Sequence, residues 1–317
     1  MDFELTAEQK AFAASLDALL ASSRTVDAAR AWAEGSHGPG LEIWGRLAEQ
    51  GVNALLVAEE DGGVGGSFVD LAVAHEALGR HLAVGPWIES TAFLAATLSG
   101  KEATAIAEGL VASVPIDGYV LDADVATVVG DGCVGDLAES VDITRRLFRC
   151  EAPAPGVHAT SAGAGFEAAC LAASAQLLGS AERVLADTVA YAEQRRQFGR
   201  AIGSFQAVKH ALADVRIQLD FVRPLIHGAA LALDAGGADA ARSVSAAKAC
   251  ASDAAVLAAR TGLQVHGAVG YTRELDLSLW LLRIQALSTA WGTPAFHRQR
   301  VLDSLLGERD VRQGAAR

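Results

Sequence analysis

The chain has 317 residues, a formal net charge of −12, and a composition that is 51% hydrophobic but only 6% aromatic. That length can bury a large core in one big domain or two smaller ones, and a core so poor in rings must be built from Ala, Leu and Val. The acidic balance, with no Lys/Arg-rich tract to offset it, excludes nucleic acid as a partner because its phosphates would be repelled.

The start, Met1-Asp2-Phe3-Glu4, lacks the basic-then-apolar order of an export signal. No window is apolar over the length that a membrane span needs. The four cysteines, Cys133, Cys150, Cys170 and Cys250, are scattered without a C-x-x-C pair, so neither a metal site nor a redox pair is expected. Cys170 and Cys250 fall in apolar helical stretches, where a buried, reduced thiol is the expectation. A reduced, soluble, cytoplasmic protein follows from these signals.

Thr6-Ala-Glu-Gln9 has the form of a capping box, and Phe12, Leu16, Leu19 and Leu20 recur behind it at helical spacing. Trp44, Leu47 and Ala48 repeat the pattern before Gly51. A glycine-rich turn, Asp61 to Ser67, then precedes a helix over Val69–Leu78. A phosphate cradle is one reading of that turn, but no strand precedes it and no lysine follows it. Close chain approach is the plainer account.

The texture changes near Val111. Tyr119–Leu121, Val125–Val129 and Leu147–Arg149 are short β-favouring runs, ending at a breaker over Pro153–Gly156. A few strands leaning on helices are expected there. From Gly163 onward the pattern is helical: one long helix over Glu167–Arg196, a second from Ser204 to Ala235 bent or divided at Pro224, a third over Asp239–Gln264, and a fourth between Leu277 and Leu306. Short glycine-containing connections make these antiparallel neighbours. The expected fold class is mainly α: an N-terminal helical domain (1–110), a truncated β middle segment (111–158), and a C-terminal antiparallel four-helix bundle (159–317).

Three passages carry more. They are Tyr191-Ala-Glu-Gln-Arg195-Arg-Gln197-Phe198-Gly199 with Phe205-Gln206, then Gln264-Val265-His266-Gly267-Ala268-Val-Gly270-Tyr271-Thr272, and finally Gly51 to Gly65 with Glu76-Ala-Leu-Gly79-Arg80. An arginine at the end of a long helix can make paired hydrogen bonds to a pyrophosphate, with the neighbouring ring covering a flat group. Alone, it reads better as a surface residue at a helix C-terminus. Together, in this order and spacing, the three passages resemble the acyl-CoA dehydrogenase family over both helical ends, though not over Val111–His158. The resemblance implies the acyl-CoA dehydrogenase-like fold and FAD shared at a subunit interface. Arg195, Gln197, Phe198, Gln206, Gln264, Val265, His266, Gly267 and Ala268 would then hold the pyrophosphate and adenine end of a neighbour's cofactor. Ala268 stands where the family has glycine, and His266 is the sort of histidine that more often packs in a core than acts as a ligand.

The resemblance also shows losses. The family's base, the glutamate of a Y-E-G-T stretch, corresponds to Trp291 in Ala290-Trp291-Gly292-Thr293, and an indole cannot accept the α-proton. The alternative position on the long helix falls on Ala169. Glu167 lies two residues away, turned by roughly 200°. It is a weak candidate base beside the plainer account of a solvated glutamate at a helix start. The flavin-holding T-E-P-x-x-G-S-D and W-I-T-N stretches have no counterpart between Val111 and His158, and Ala295 replaces a further glutamine. No catalytic residue is therefore assigned.

Groups that a subunit lends to its neighbour's FAD are kept, while those for its own are lost, which points to a role in trans. The chain resembles the short, catalytically degenerate subunit of actinobacterial heteromeric, steroid-degrading acyl-CoA dehydrogenases. A full-length acyl-CoA dehydrogenase paralogue, an acyl-CoA substrate and an electron-transfer flavoprotein-like acceptor are the implied partners. Two alternatives stand beside this: a self-sufficient homo-oligomeric dehydrogenase with a non-standard base, yellow when expressed alone, and a non-enzymatic helical scaffold that never holds flavin.

Overall fold

The computed structural model describes residues 4–130, 134–150, 163–271 and 275–315. The breaker at Pro153–Gly156, together with Cys133 and Thr272, lies outside them. The chain is mainly α. Helix α1 (Ala7–Ala21) opens on the expected capping box: Thr6 Oγ1 accepts from the Gln9 amide at 3.1 Å, and Gln9 Oε1 accepts from the Thr6 amide at 3.1 Å. Helices α2 (Thr25–Ala33) and α3 (Gly38–Glu49) follow, and α4 (Phe68–Arg80) starts at a second capping box made by Ser67 and Asp70. The glycine-rich turn before α4 folds back on itself. Its amides are consumed internally, Gly63 N donating to Ala58 O and Val64 N to Ala54 O, so they do not form a phosphate cradle.

A π-helical turn, Ile88–Leu94, comes next, then α5 (Lys101–Ala107). The π turn is tied down by a buried polar chain. Gln176 Nε2 donates to His75 Nδ1 at 3.0 Å, His75 Nε2 donates to Thr91 Oγ1 at 3.0 Å, and Thr91 donates to Trp87 O at 2.7 Å. The middle segment carries five short strands: β1 (Ala112–Ser113) parallel to β3 (Thr127–Val128), and an antiparallel sheet in the order β2 (Tyr119–Leu121), β5 (Leu147–Cys150), β4 (Val134–Ala138). The β runs at 119, 127 and 147 were expected from the sequence. Strand β4 was not, because Val134-Gly-Asp-Leu-Ala has neither β-branched density nor a buried face.

The second half is a helical bundle: α6 (Ala164–Gln194), α7 (Gln206–Asp234), α8 (Ala240–His266) and α9 (Leu277–Thr289), with α10 (Pro294–Ala315) packed on α8. Between α6 and α7 lies a two-residue hairpin of β6 (Arg196–Gln197) and β7 (Arg200–Ala201). Pro224 lies inside α7 without dividing it, at an exposed position where a missing amide donor is tolerated. The single fourth helix expected over 277–306 is two helices. They part at Trp291 (φ 58°) and Gly292 (φ 101°), with Pro294 opening α10.

Every residue of α6 from Gly165 to Ala181 is buried, because α4, the π turn, α8 and α9 surround it. Its crossing with α4 is unusually close. A Cβ at Gly179 would stand 1.9 Å from Glu76 O, and one at Gly79 would stand 2.2 Å from Gln176 O, so only glycine fits on either side. This explains the Glu76-Ala-Leu-Gly79-Arg80 stretch noted in the sequence. Trp280 on α9 completes the joint by donating from Nε1 to Gly79 O and Arg80 O, both at 3.2 Å.

Candidate functional site

The residues singled out by the sequence gather at one end of the bundle. Arg195 ends α6 in an extended conformation, and its amide donates to Tyr191 O at 2.8 Å. The next six residues form the β6–β7 hairpin, whose corner residues Phe198 (φ 51°) and Gly199 (φ 79°) both have positive φ, as a type I′ turn requires. That corner holds Phe198 out in solvent at 92% exposure. Phe205 stands behind it, its ring edge-on to Phe198 with centroids 6.2 Å apart, and the Arg200 guanidinium lies 4.1 Å over the Phe205 ring. Gln197 and Gln206, the latter opening α7, are also exposed.

The second cluster reaches the same end through α8. The Tyr191 and His266 rings stack with centroids 4.2 Å apart and planes at 25°, which joins the last turns of α6 and α8. His266 is buried, and its Nδ1 donates to Gly262 O at 2.8 Å, so it acts in packing. Gln264 and Ala268 are exposed, and Val265 is half-buried. Gly267 (φ 65°) ends α8, and a Cβ built on it meets nothing within 4 Å, which leaves open space beside the backbone.

The electrostatics of this end are unusual for a chain of charge −12. Arg195, Arg196 and Arg200 make no ion pair among the described residues, and all three are exposed. An exposed ring between uncompensated guanidiniums, beside open backbone, suits an anion that carries a flat ring: pyrophosphate on arginine, ring on Phe198. A stripe of exposed apolar residues runs along α7 from this end, with Ile217, Phe221 and Leu225 at i, i+4 and i+8 and Phe221 67% exposed. The buried face of α7 is formed separately by Val215, Leu219, Val222 and Ile226.

The second half of the sequence reading concerned the position where the resemblance places the base. Trp291 is 4% exposed and packs near Phe93 and Phe166, with ring centroids at 5.4 and 6.2 Å. Its left-handed backbone costs about 1–2 kcal/mol in a non-glycine residue. Hydrogen bonds around it hold that conformation. Its carbonyl accepts from His297 Nε2 at 2.9 Å and from Cys170 Sγ at 3.3 Å, and the neighbouring Gly292 O accepts from Lys248 Nζ at 3.4 Å. Burial pushes the His297 imidazole down to about 4, so a neutral ring makes the bond. Burial also pulls Lys248 down to about 8, although its ammonium donates to Leu287 O and Ser252 Oγ as well.

Two expectations from the sequence are corrected here. Glu167 is not a solvated glutamate at a helix start. It is buried on α6, with both carboxylate oxygens facing Arg300, whose Nη1 also donates to Ser245 Oγ at 2.8 Å. Burial raises its pKa, and the Arg300 hydrogen bond and charge oppose that rise. Ala169 is buried as well, and within the continuous helix the two side chains remain about 200° apart. Cys250, expected to be buried, is exposed on the outer side of α8, whereas Cys170 is buried as expected.

A cleft of about 390 Å³ lies between the β2–β5–β4 sheet, the π turn and the end of α9, with Trp291 in its wall. A smaller one of about 300 Å³ opens on the other side of Trp291, against Phe166 and Phe296. Glu167 lines neither. The sequence reading missed Glu89 and Arg145 in the larger cleft. Glu89 is 3% exposed and Arg145 is half-buried; the helical period of the first residue and the loop position of the second gave no sign that they meet. Among the described residues no group of three or more His, Cys, Asp or Glu side chains could hold a metal, and no helix is long and apolar enough to cross a membrane.

Comparison with known proteins agrees with this geometry. Residues 6–103 match the family described as acyl-CoA dehydrogenase, N-terminal domain, and residues 156–306 match acyl-CoA dehydrogenase, C-terminal domain. The chain is 34% identical over 301 residues to the acyl-CoA dehydrogenase IpdE2 of Mycobacterium tuberculosis, covering 87% of this chain and 90% of that protein. Its identity to IpdE2 of Mycolicibacterium smegmatis is 30% over 313 residues, covering 94% and 98%. Among solved structures, the fold is shared with the ChsE4–ChsE5 complex from Mycobacterium tuberculosis (TM-score 0.77, 23% identity, 96% of this chain and 99% of that one). It is shared too with butyryl-CoA dehydrogenase from Megasphaera elsdenii (TM-score 0.78, 20% identity, 96% and 100%). The chain belongs to the acyl-CoA dehydrogenase family.

Proposed function

We propose that this chain is a subunit of an FAD-dependent acyl-CoA dehydrogenase that works as a heteromer with a full-length paralogue. In this reading it lends Arg195, Gln197, Phe198, Gln206 and the Gln264–Ala268 segment to the pyrophosphate and adenine side of the partner's FAD. When bound, FAD supplies the hydride acceptor for α,β-desaturation of an acyl-CoA thioester. The observation that carries the proposal is the contrast between two sites in one chain: an exposed ring among unpaired arginines at the bundle end, and a buried indole locked by hydrogen bonds at the base position. The apolar stripe of Ile217, Phe221 and Leu225 gives the bundle a face on which a paralogue can pack.

This chain's part is binding and positioning. Arg195 and Arg196 neutralise the pyrophosphate, Phe198 covers the adenine, and the Tyr191–His266 stack holds the two contributing segments in register. The proton of the acyl α-carbon is taken by a carboxylate of the partner. A steroid-derived acyl group is the substrate we favour, since one solved structure of the same fold is a steroid acyl-CoA dehydrogenase, Tcur3481–Tcur3483 in its G363A variant (TM-score 0.78). The acceptor that reoxidises the flavin would resemble an electron-transferring flavoprotein.

One observation favours a second reading, a self-sufficient enzyme: Glu89 stands in the larger cleft with an oxygen that accepts no hydrogen bond. Against a base there, the carboxylate faces the Arg145 guanidinium 3.6 Å away instead of an apolar wall. Arg195→Ala in the co-expressed complex tests the clamp, while the lone chain, colourless in the first reading and yellow in the second, separates the two. The first expects FAD to be held about ten- to a hundredfold more weakly, as for loss of a charge-assisted pair. FAD content and affinity that do not change would remove the assignment.

A further inference from the structure

The larger cleft has a polar end that the flavin-side reading does not use. Glu89 projects from the π turn, a departure from α geometry that often marks functional sites. Its Oε1 lies 3.6 Å from Arg145 Nη2, too far for a hydrogen bond, and its Oε2 accepts no hydrogen bond from any described residue. The Arg145 side chain, 11% exposed, likewise makes no hydrogen bond to another described side chain. A buried carboxylate thus stands beside a half-buried guanidinium with no hydrogen bond between them, and its orphaned Oε2 is costly unless a ligand or water uses it. Val114, Ile116, Leu121 and Leu147 give the cleft an aliphatic wall beside the Trp291 indole, and Tyr119, Ser140 and Thr289 also line it.

The charges select the ligand. Asp117 and Glu139 are exposed at the rim, so an anion meets two carboxylates on entry. A cation placed against Glu89 would also face Arg145. A neutral hydroxyl satisfies both groups at once, its O–H donating to the carboxylate while its oxygen accepts from the guanidinium. We propose that the cleft between Glu89, Arg145 and Trp291 is a binding site for a neutral alicyclic alcohol, with the hydroxyl bridging Glu89 Oε2 and Arg145 and the ring lying on the aliphatic wall. The site takes no part in redox chemistry, and it lies wholly on this chain whichever subunit supplies the flavin contacts.

Cyclohexanol, cyclohexanecarboxylate and cyclohexylamine are the probes. Hydrogen–deuterium exchange read by mass spectrometry assigns protection to this chain's own peptides, whether it is alone or in a complex, and equilibrium dialysis gives affinities. Cyclohexanol should protect peptides covering 86–95, 112–121 and 140–147, with the carboxylate and the amine binding more weakly. Glu89→Gln, which keeps the shape and loses the charge, should weaken the alcohol about tenfold. Arg145→Met, at the other end of the pair, should weaken it as well, and the melting temperature of each variant reports whether the fold is intact. The proposal is overturned if the alcohol gives no saturable protection, if the carboxylate or the amine binds as tightly, or if both variants bind the alcohol as the wild type does.

Discussion

A buried ion pair between Arg283 and Asp142 helps fasten the β layer to the helices, and breaking it gives a quantitative test of how the two halves are joined. Arg283 on α9 donates from Nε to Asp142 Oδ2, from Nη2 to Thr144 Oγ1 at 2.7 Å, and from Nη1 to Ala83 O at 3.2 Å. Both side chains are almost wholly out of solvent, at 4% and 0% exposure. Arg283→Met keeps the packing volume but leaves the Asp142 charge unpaired and takes a donor from Thr144 and Ala83. Removing one partner of a buried pair costs about 3–5 kcal/mol. Asp142 Oδ1 still accepts from Thr144 N at 2.9 Å and Thr144 Oγ1 at 2.6 Å, which places the loss near the lower end, about 3 kcal/mol. Urea unfolding should show that loss, and hydrogen exchange should speed up first in 119–121 and 147–150. Adding Asp142→Asn should recover about 1–2 kcal/mol, because the remaining penalty is an uncompensated charge rather than a lost contact. A single variant within 1 kcal/mol of wild type, or a double variant no better than the single, would refute this account of the joint.

Other expectations follow from the same structure. Burial raises Asp122 from 3.8 to about 7, opposed by the Trp32 and Arg146 hydrogen bonds and the Arg145 charge. The folded state therefore holds its proton more tightly than the unfolded chain, and stability should fall as pH rises between about 4 and 7, by at most about 4 kcal/mol. Asp122→Asn keeps an oxygen for Trp32 Nε1 and the Arg146 amide, so its melting temperature should vary less with pH and exceed wild type at pH 8, taken here as about one unit above that pKa. Trp291→Phe should leave turnover of the complex nearly unchanged if the partner does the proton chemistry, and a loss of turnover in a folded complex would place Trp291 in the reaction. Phe198→Ala, at a fully exposed ring, should leave the melting temperature of the lone chain unchanged while weakening FAD retention in the complex.

The helical parts were legible because their signals are local. A capping box, a periodic apolar face and a glycine or proline stop fix α1, α4, α7 and α8 to within a few residues of the expected bounds. The hairpin at Phe198 was not expected, although glycine after an aromatic is compatible with a turn that has two positive φ values. What escaped the sequence depends on neighbours far along the chain. Whether Glu167 is solvated depends on how many helices surround α6, and its partner Arg300 lies 133 residues away. Glu89 and Arg145 meet only because a π turn rotates one inward while a sheet with an unremarkable strand carries the other. Cys250 was misjudged in the opposite direction, because an alanine-rich helix looks apolar on every side even where one side faces solvent.

The central claim is that this chain supports a flavin it does not itself seat. Its most direct test is the amount of FAD per polypeptide in the assembly purified after co-expression with a full-length paralogue, measured by absorbance against quantitative amino-acid analysis. The account predicts one flavin for each pair of unlike chains, together with colourless protein when this chain is expressed alone. One flavin on every chain, or a lone chain that is yellow and desaturates an acyl-CoA, would contradict it.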